Sequence, residues 1–443
     1  MFKRKIYNSL LEWKNTSKGK SALLIEGARR IGKSTIAEFF GTNEFPAYKL
    51  IDFSIYGESF KDIFANLSNI DDFFSELFLK LGISKLPEGS LIIFDEVQFF
   101  PIARQAIKHL VKDGRYYYLE TGSLVSIKEN TENILIPSEE ESIAMYPMDY
   151  EEFLWAVGLE YEASELRKSY ENRKPLSLSA HQTLIKHFRT YLAVGGMPQA
   201  VDTYINTKDF YQVDKSKKNI IKLYEEDLRK IDNKYGTICY NVWSRMPSML
   251  STQSSRFVVS SLDTRSDSIL FTNTLDKLIE SKMVLPIYKC NDPTGGFKLT
   301  KNNEYFKLYF LDVGIFTSII YPNNIVDSQD VYQRLILDKL STNLGMLFEN
   351  AVAQCLYSSG FDPYYYFWYE DKTKYEIDFL VFNKGKVIPF EVKSNKTSSK
   401  KSIEEFKNKY SKVIGERYFI KSKPSKYEDN TTILPFYMLF CFK

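Results

Sequence analysis

The residues Gly27-Ala28-Arg29-Arg30-Ile31-Gly32-Lys33-Ser34-Thr35 have the types and spacing that cradle a phosphate chain. Glycines at both ends of the turn let its backbone N–H groups face inward. Lys33 would reach the β- and γ-phosphates of a nucleotide, and the Ser34 hydroxyl would hold Mg²⁺. Two carboxylates, Asp95 and Glu96, follow the apolar run Leu91-Ile92-Ile93-Phe94. They stand at the C-terminal end of a strand, where open α/β sheets take ligands. Asp95 would orient Mg²⁺ or its water shell, and Glu96 would polarise an attacking water. A further group, Glu349, Asp378, Glu391 and Lys393, lies toward the C-terminus.

Each group needs elements to place it. Ala22-Leu23-Leu24-Ile25 reads as a buried strand entering the 27–35 loop, and a helix from Lys33 would aim its positive dipole end at the same spot. The run 91–94 reads as a strand buried on both faces. Strands are also expected over 48–53 and 115–119, the latter running into Glu120-Thr121-Gly122-Ser123. Farther on, a helix over 344–352 carries Glu349, a strand over 375–382 carries Asp378, and a turn over 383–386 leads into a strand over 387–393. Alternation places Glu391 and Lys393 on one face, and the hairpin brings Asp378 beside them. Glu376 is read as facing the other way and outside this group.

The chain has 443 residues, too many for one ordinary core, and its length suggests about three domains. Lys plus Arg number 59 and Asp plus Glu 56, so net charge by itself argues for no partner. The 31 Tyr and 33 Phe, many in alternating runs, read as core and sheet surface. Four cysteines (Cys239, Cys290, Cys355, Cys441) stand far apart without a Cys-x-x-Cys pair, which fits a reducing compartment and disfavours zinc. The N-terminus lacks the apolar region of a signal peptide, and no apolar run is long enough for a bilayer. The expectation is a cytoplasmic protein with no membrane partner.

From 150 to 235 apolar residues recur at three- and four-residue intervals, as amphipathic helices require. Lys215, Lys217 and Lys218 read as a solvated face, and Gly195-Gly196-Met197-Pro198 as a turn. Over 237–320, helices near 239–250 and 273–282 precede strands at 284–289 and 307–312, an order that suggests a winged helix. Its Lys277, Lys282, Lys289 and Lys298 would contact phosphates if it binds DNA. The other reading is a structural relay.

The 27–35 loop, Phe94-Asp95-Glu96, Thr121-Gly122-Ser123, Tyr146-Pro147-Met148-Asp149-Tyr150-Glu151-Glu152-Phe153 and Gly195-Gly196-Met197-Pro198 make the chain resemble prokaryotic P-loop ATPases of the AAA type, near the archaeal ATPase group. The resemblance implies ATP and Mg²⁺ as ligands, with Gly27, Arg29, Gly32, Lys33, Ser34 and Thr35 around the nucleotide. It also implies that Thr121 or Ser123 serves as the sensor hydroxyl. One departure matters: no arginine occurs between Arg115 and Arg167, where such ATPases carry a finger, and Lys128 is the lone basic residue there. A finger contributes about 10³–10⁵ in rate, so slow hydrolysis is expected, completed by Arg29, Arg30 or a partner.

The Asp378, hairpin, Glu391-x-Lys393 order with Glu349 on a preceding helix resembles the PD-(D/E)xK restriction-endonuclease-like fold, although no proline precedes Asp378. That resemblance implies Mg²⁺ or Mn²⁺ on Asp378 and Glu391, with Glu349 completing the metal shell. Lys393 would lower the pKa of the attacking water or stabilise the pentavalent phosphate.

The expected architecture is multidomain α/β: an AAA-type core over 1–145, a helical lid over 146–235, a winged-helix-like module over 236–320 and a nuclease-like domain over 321–443. The expected function is a switch ATPase that gates a metal-dependent nuclease-like domain acting on DNA ahead of RNA. The alternative is a signalling ATPase whose last domain binds DNA or protein without cutting. A second copy or another protein remains open as a partner.

Overall fold

The apolar run before the first loop forms strand β1, Ala22–Glu26, and its first four residues are buried. Parallel strands β2 (Tyr48–Asp52), β3 (Leu91–Asp95), β4 (Tyr117–Gly122) and β5 (Glu140–Ala144) join it in the order β2-β3-β4-β1-β5. The computed structural model describes residues 1–123, 138–231, 235–251, 268–294, 296–321, 325–340, 345–393, 401–428 and 430–443. Lys128, Gly295 and Leu344 lie outside these. The chain forms two units, one of Met1–Tyr146 with Glu280–Lys282, the other of Pro147–Ile279 with Met283–Lys443.

In the first unit β3 is buried along its whole length, as a central parallel strand must be. Four main helices flank the sheet: α1 (Ile6–Ser17), α2 (Lys33–Glu44), α3 (Ile70–Leu81) and α4 (Pro101–Asp113). Local chemistry sets their ends: the Asn69 side chain accepts from the N–H groups of Asp71 and Asp72 to start α3, and Pro101 opens α4. Phe53, Phe64, Phe94 and Phe100 pack as one aromatic cluster against the sheet. Strand β4 runs through Thr121 and Gly122, beyond its expected end at 119. Strand β5, Glu-Glu-Ser-Ile-Ala, lies beside β1 and was hidden in a glutamate-rich stretch.

The second unit combines helices with an eight-stranded sheet. Its helices are α5 (Tyr150–Ala156), α6 (Glu160–Glu171), α7 (Leu178–Val194), α8 (Pro198–Thr207), α9 (Phe210–Lys230), α10 (Gly236–Ser251), α11 (Ser268–Glu280), α12 (Val313–Ile320), α13 (Ile325–Ile336), α14 (Gly345–Ser358) and α15 (Lys401–Tyr410). The strands are β6 (Val284–Cys290), β7 (Lys301–Phe310), β8 (Tyr364–Glu370), β9 (Thr373–Asn383), β10 (Lys386–Lys393), β11 (Arg417–Lys421), β12 (Lys426–Glu428) and β13 (Thr431–Pro435), in the order β12-β13-β11-β10-β9-β8-β6-β7.

The hairpin β6–β7, expected as a wing, pairs in parallel with β8 through Tyr288 and Tyr364. It thereby covers an edge that would otherwise expose unpaired backbone groups, and the sheet runs across the boundary expected at 320. The Gly-Gly-Met-Pro turn packs on the Tyr-Pro-Met-Asp segment: Met148 N donates to Gly196 O at 2.8 Å, and a Cβ at Gly196 would overlap Met148 backbone. Asp312 then ties this turn to α12, accepting from Gly196 N at 2.6 Å and from Ile315 N at 2.9 Å.

One expectation needs correction here. Lys217 does not belong to a solvated face; it is fully buried and donates to Ala193 O at 2.7 Å and Tyr332 OH at 3.0 Å. Positions 214, 217 and 218 lie three and four apart on α9, so Asp214 faces both lysines and pairs with Lys218.

Candidate functional sites

The loop after β1 is shaped by two left-handed residues, Arg30 (φ 65°) and Gly32 (φ 96°), and Gly32 leads directly into α2. A Cβ at Gly27 would collide with the Met145 carbonyl and the Ile31 side chain. Lys33 is 5% exposed. Its Nζ folds back to donate to Gly27 O at 3.1 Å and Ala28 O at 3.0 Å. Burial lowers its pKa, while Glu96 and Asp95 act to raise it. Thr35 is exposed in the first turn of α2 and Arg29 is half-buried.

Asp95 ends β3, with Ser34 Oγ donating to its Oδ1 at 2.8 Å. Thr121 Oγ1, from neighbouring β4, donates to the same oxygen and accepts from Glu96 N at 3.2 Å. Burial raises the Asp95 pKa; the Thr121 and Ser34 hydrogen bonds oppose it. Of the two hydroxyls considered as sensor, Thr121 is the one seated on Asp95, and Ser123 stands half-buried just past β4. Glu96 is left-handed (φ 54°) and accepts from Gln98 Nε2. Ser34, Asp95, Glu96 and Thr121 thus converge at the C-terminal edge of the sheet beside the loop.

A second feature of this unit escaped the sequence. Arg104 on α4 grips Glu140 on β5 bidentately, Nε–Oε1 2.7 Å and Nη2–Oε2 2.5 Å, with both side chains buried. Glu120 on β4 is fully buried nearby. Burial and the Glu140 charge push its carboxyl well up. Alternation along β4 points Glu120 away from the face that carries Thr121.

In the second unit β9, β10 and α14 bring the expected C-terminal group together. Lys393 Nζ pairs with Glu391 Oε1 at 2.7 Å, and Asp378 Oδ2 accepts from Val392 N at 2.7 Å. The β9–β10 register pairs Phe379 with Phe390, which sets Asp378 next to Glu391. Glu349 on α14 accepts from Tyr309 OH at 3.0 Å. Burial pushes Glu391 up to about 8, with Asp378 adding to it, and Glu349 up to about 7, while Asp378 is also raised by burial.

Glu376 is corrected: it does not face away from Asp378. Residues two apart on a strand share a face, and Glu376 pairs with Lys307 at 3.0 Å and also with Lys374. Burial acts to raise its pKa, but the two lysines outweigh it and hold it at about 2. Lys307 and Tyr309 on β7 were missed because β7 was assigned to a different module; their strand alternation was the available signal.

Glu391 Oε2 is buried without a hydrogen-bond partner, beside acids that burial drives toward their neutral forms. Mg²⁺ binds through as few as one or two carboxylates and keeps several waters, which suits Asp378 with Glu391. Among the described residues no cluster of three or more His, Cys, Asp or Glu is arranged to hold an ion.

Residues 19–154 match the AAA domain family, which supports a P-loop ATPase of the AAA kind that uses nucleotide and usually Mg²⁺. Residues 185–324 and 344–439 match two domains of unknown function, DUF8612 and DUF4143. A Walker-type ATPase of Pyrococcus abyssi is similar over 72% of this chain and 96% of its own, at 15% identity and a TM-score of 0.44. A signal transduction ATPase with a tetratricopeptide repeat sensor, from Pyrococcus horikoshii, is similar over 80% of this chain and 48% of its own, at 14% identity and a TM-score of 0.26. For C. elegans PCH-2 the shares are 47% and 65%, at 11% identity and a TM-score of 0.28. No curated protein matches the chain. No described helix is long and apolar enough to cross a membrane.

Proposed function

We propose that the chain is a slow switch ATPase whose nucleotide state gates a metal-dependent phosphodiesterase built on Asp378, Glu391, Lys393 and Glu349, acting on DNA. The observation that carries the reading is the buried, partnerless Glu391 Oε2 among acids pushed toward neutrality, in a chain that also holds a complete phosphate loop. Lys33 trades its two loop carbonyls for phosphate oxygens when ATP binds. Ser34 and Asp95 hold the Mg²⁺ of the nucleotide, and Glu96, anchored by Gln98 and Thr121, orients the attacking water. Slow turnover follows from the arginine-free stretch 116–166, and Arg104 is already engaged by Glu140.

At the second site Asp378 and Glu391 would hold Mg²⁺ or Mn²⁺. The bound cation supplies charge for phosphate oxygens and acidifies a water. Lys393, part exposed, keeps its ammonium beside that position, and Tyr309 fixes Glu349. The test is cleavage of labelled DNA by the full chain with Mg²⁺ or Mn²⁺, with and without ATP. Asp378→Ala should abolish cutting and Lys33→Ala should remove its dependence on ATP; cutting that persists in Asp378→Ala refutes the reading.

The Lys393–Glu391 ion pair favours a second reading, because the lysine already places a cation on one carboxylate oxygen. The last domain would then bind DNA or protein without cutting. Nucleotide-dependent association, lost in Lys33→Ala and unaccompanied by cleavage with any metal, distinguishes it.

A further inference from the structure

The face of the sheet that carries the acid group continues past it as a ladder of rings and lysines. Along β8, Tyr365, Phe367 and Tyr369 fall at every second residue and so share one face, with successive ring centroids 6.2 Å and 6.2 Å apart. Tyr305 on β7 stands 5.8 Å from Phe367. The inner end of the ladder meets the acid group: Lys307 Nζ lies 5.1 Å from the Tyr365 ring and pairs with Glu376, two residues from Asp378. The outer end opens to solvent. Tyr365 is buried, Phe367 and Tyr305 are half-buried, and Tyr369 is 63% exposed. Lysines line this end, Lys289 Nζ at 4.2 Å from the Phe367 ring and Lys374 Nζ at 5.6 Å. On the opposite face of β8, Tyr366 and Trp368 pack under α15 against Phe406, so that side is core.

We propose that the outer end of the ladder, Phe367 and Tyr369 with Tyr305, Lys289 and Lys374, is a binding track for single-stranded nucleic acid that delivers the strand to Asp378 and Glu391. The inference rests on the phosphodiesterase reading for the direction of delivery, but the track itself is a binding site in its own right. The exposed Tyr369 ring, the half-buried Phe367 and Tyr305 rings and the lysines beside them offer stacking for bases and charge for the backbone, the pairing that single-strand binders use. A duplex keeps its base faces inside the stack, whereas a single strand presents them one by one.

The experiment is fluorescence anisotropy of the full chain in excess chelator, so that no cutting intervenes. The probes are oligodeoxythymidine and oligouridine of about 20 nucleotides, longer than the 4–16 nucleotides typical of single-strand sites, and a hairpin duplex DNA. Tyr369→Ala is expected to weaken single-strand binding by about fivefold or more, while Tyr369→Phe retains it. Lys289→Gln with Lys374→Gln should weaken binding and flatten its salt dependence. The two single-strand probes separate DNA from RNA as the source of the strand.

Tyr369 is exposed, so its variants keep the fold; Phe367→Ala, checked by its melting curve, gives a second reading of the same track. Wild-type affinity in both Tyr369→Ala and Phe367→Ala overturns the proposal, as does an equal loss of duplex binding. Ladder-dependent binding by a chain that never cleaves sinks the phosphodiesterase and leaves the track standing; cleavage with ladder-independent binding does the reverse.

Discussion

Glu391→Gln should stabilise the protein above neutral pH and abolish any metal-dependent cleavage. The Glu391 carboxyl is raised from 4.5 to about 8 by burial, with Asp378 adding to it. In the unfolded chain this group ionises near its ordinary pKa, so between about pH 4.5 and about pH 8 the folded protein holds a proton that the unfolded chain has released. Stability from this group therefore falls as pH rises through that window, by about 1.4 kcal/mol per unit. The penalty is absent at lower pH and complete above about pH 8, where about 3.5 units give an upper bound of about 5 kcal/mol. Glutamine keeps the shape and removes the titration. Lys393 loses its partner but is 31% exposed and can turn to water, which returns about 1–3 kcal/mol of the gain. Urea midpoints at pH 5.5 and pH 8.5 measure the effect: the variant should overtake the wild type only at the higher pH. Adding Mg²⁺ or Mn²⁺ at about a hundred times its dissociation constant should raise wild-type stability by about 2.7 kcal/mol and leave the variant unchanged. Parallel pH profiles for the two proteins, or equal stabilisation of both by metal, would refute the argument.

Thr121→Val removes both the hydrogen bond to Asp95 and the acceptor for Glu96 N; phosphate release from ATP should slow by about 10–100-fold, with affinity for a fluorescent nucleotide nearly unchanged. Lys33→Ala should instead lose the nucleotide itself, measured by the same titration. Gly196→Ala drives a Cβ into Met148 backbone, which has no side-chain freedom to yield; a loss of about 3 kcal/mol or more is expected in thermal unfolding. Lys217→Met strips Ala193 O and Tyr332 OH of their buried donor and should cost about 3–5 kcal/mol, read from the urea midpoint.

The phosphate loop was legible because its information is local: an apolar strand, a fixed glycine spacing and a lysine at the start of a helix lie within about a dozen residues. The hairpin carrying Asp378 and Glu391 was legible for the same reason, since one turn sets its register. What failed was long-range or two-sided. The partner of β6–β7 lies some 75 residues away at β8, with Tyr288 opposite Tyr364, and hydrophobic patterning names no partner for an edge. Glu140 sits in an acidic run whose strand forms because β1 offers a neighbour and Arg104 neutralises the charge. Lys217 was assigned by composition, while helical spacing from Asp214 governed its fate. Glu376 was lost to parity, although a count of two along β9 places it with Asp378.

The two sites share one electrostatic condition, and this links binding to stability at each. In the first, Lys33 is desolvated on loop carbonyls while Asp95 is raised by burial. In the second, Glu391, Glu349 and Asp378 are driven toward neutrality with one oxygen left without a partner. Neither arrangement is at its electrostatic minimum alone, because groups that prefer charge are held where charge is costly. On the proposed function, phosphate would relieve the lysine and a divalent cation would relieve the acids. The two reliefs run differently with pH. Phosphate binding requires Lys33 charged and so weakens as its lowered pKa is passed, whereas a cation at the proposed second site would displace protons from Asp378 and Glu391 and so bind more tightly as pH rises. Nucleotide-induced stabilisation that falls with pH, beside metal-induced stabilisation that rises, would separate the two sites within one chain without cutting it apart.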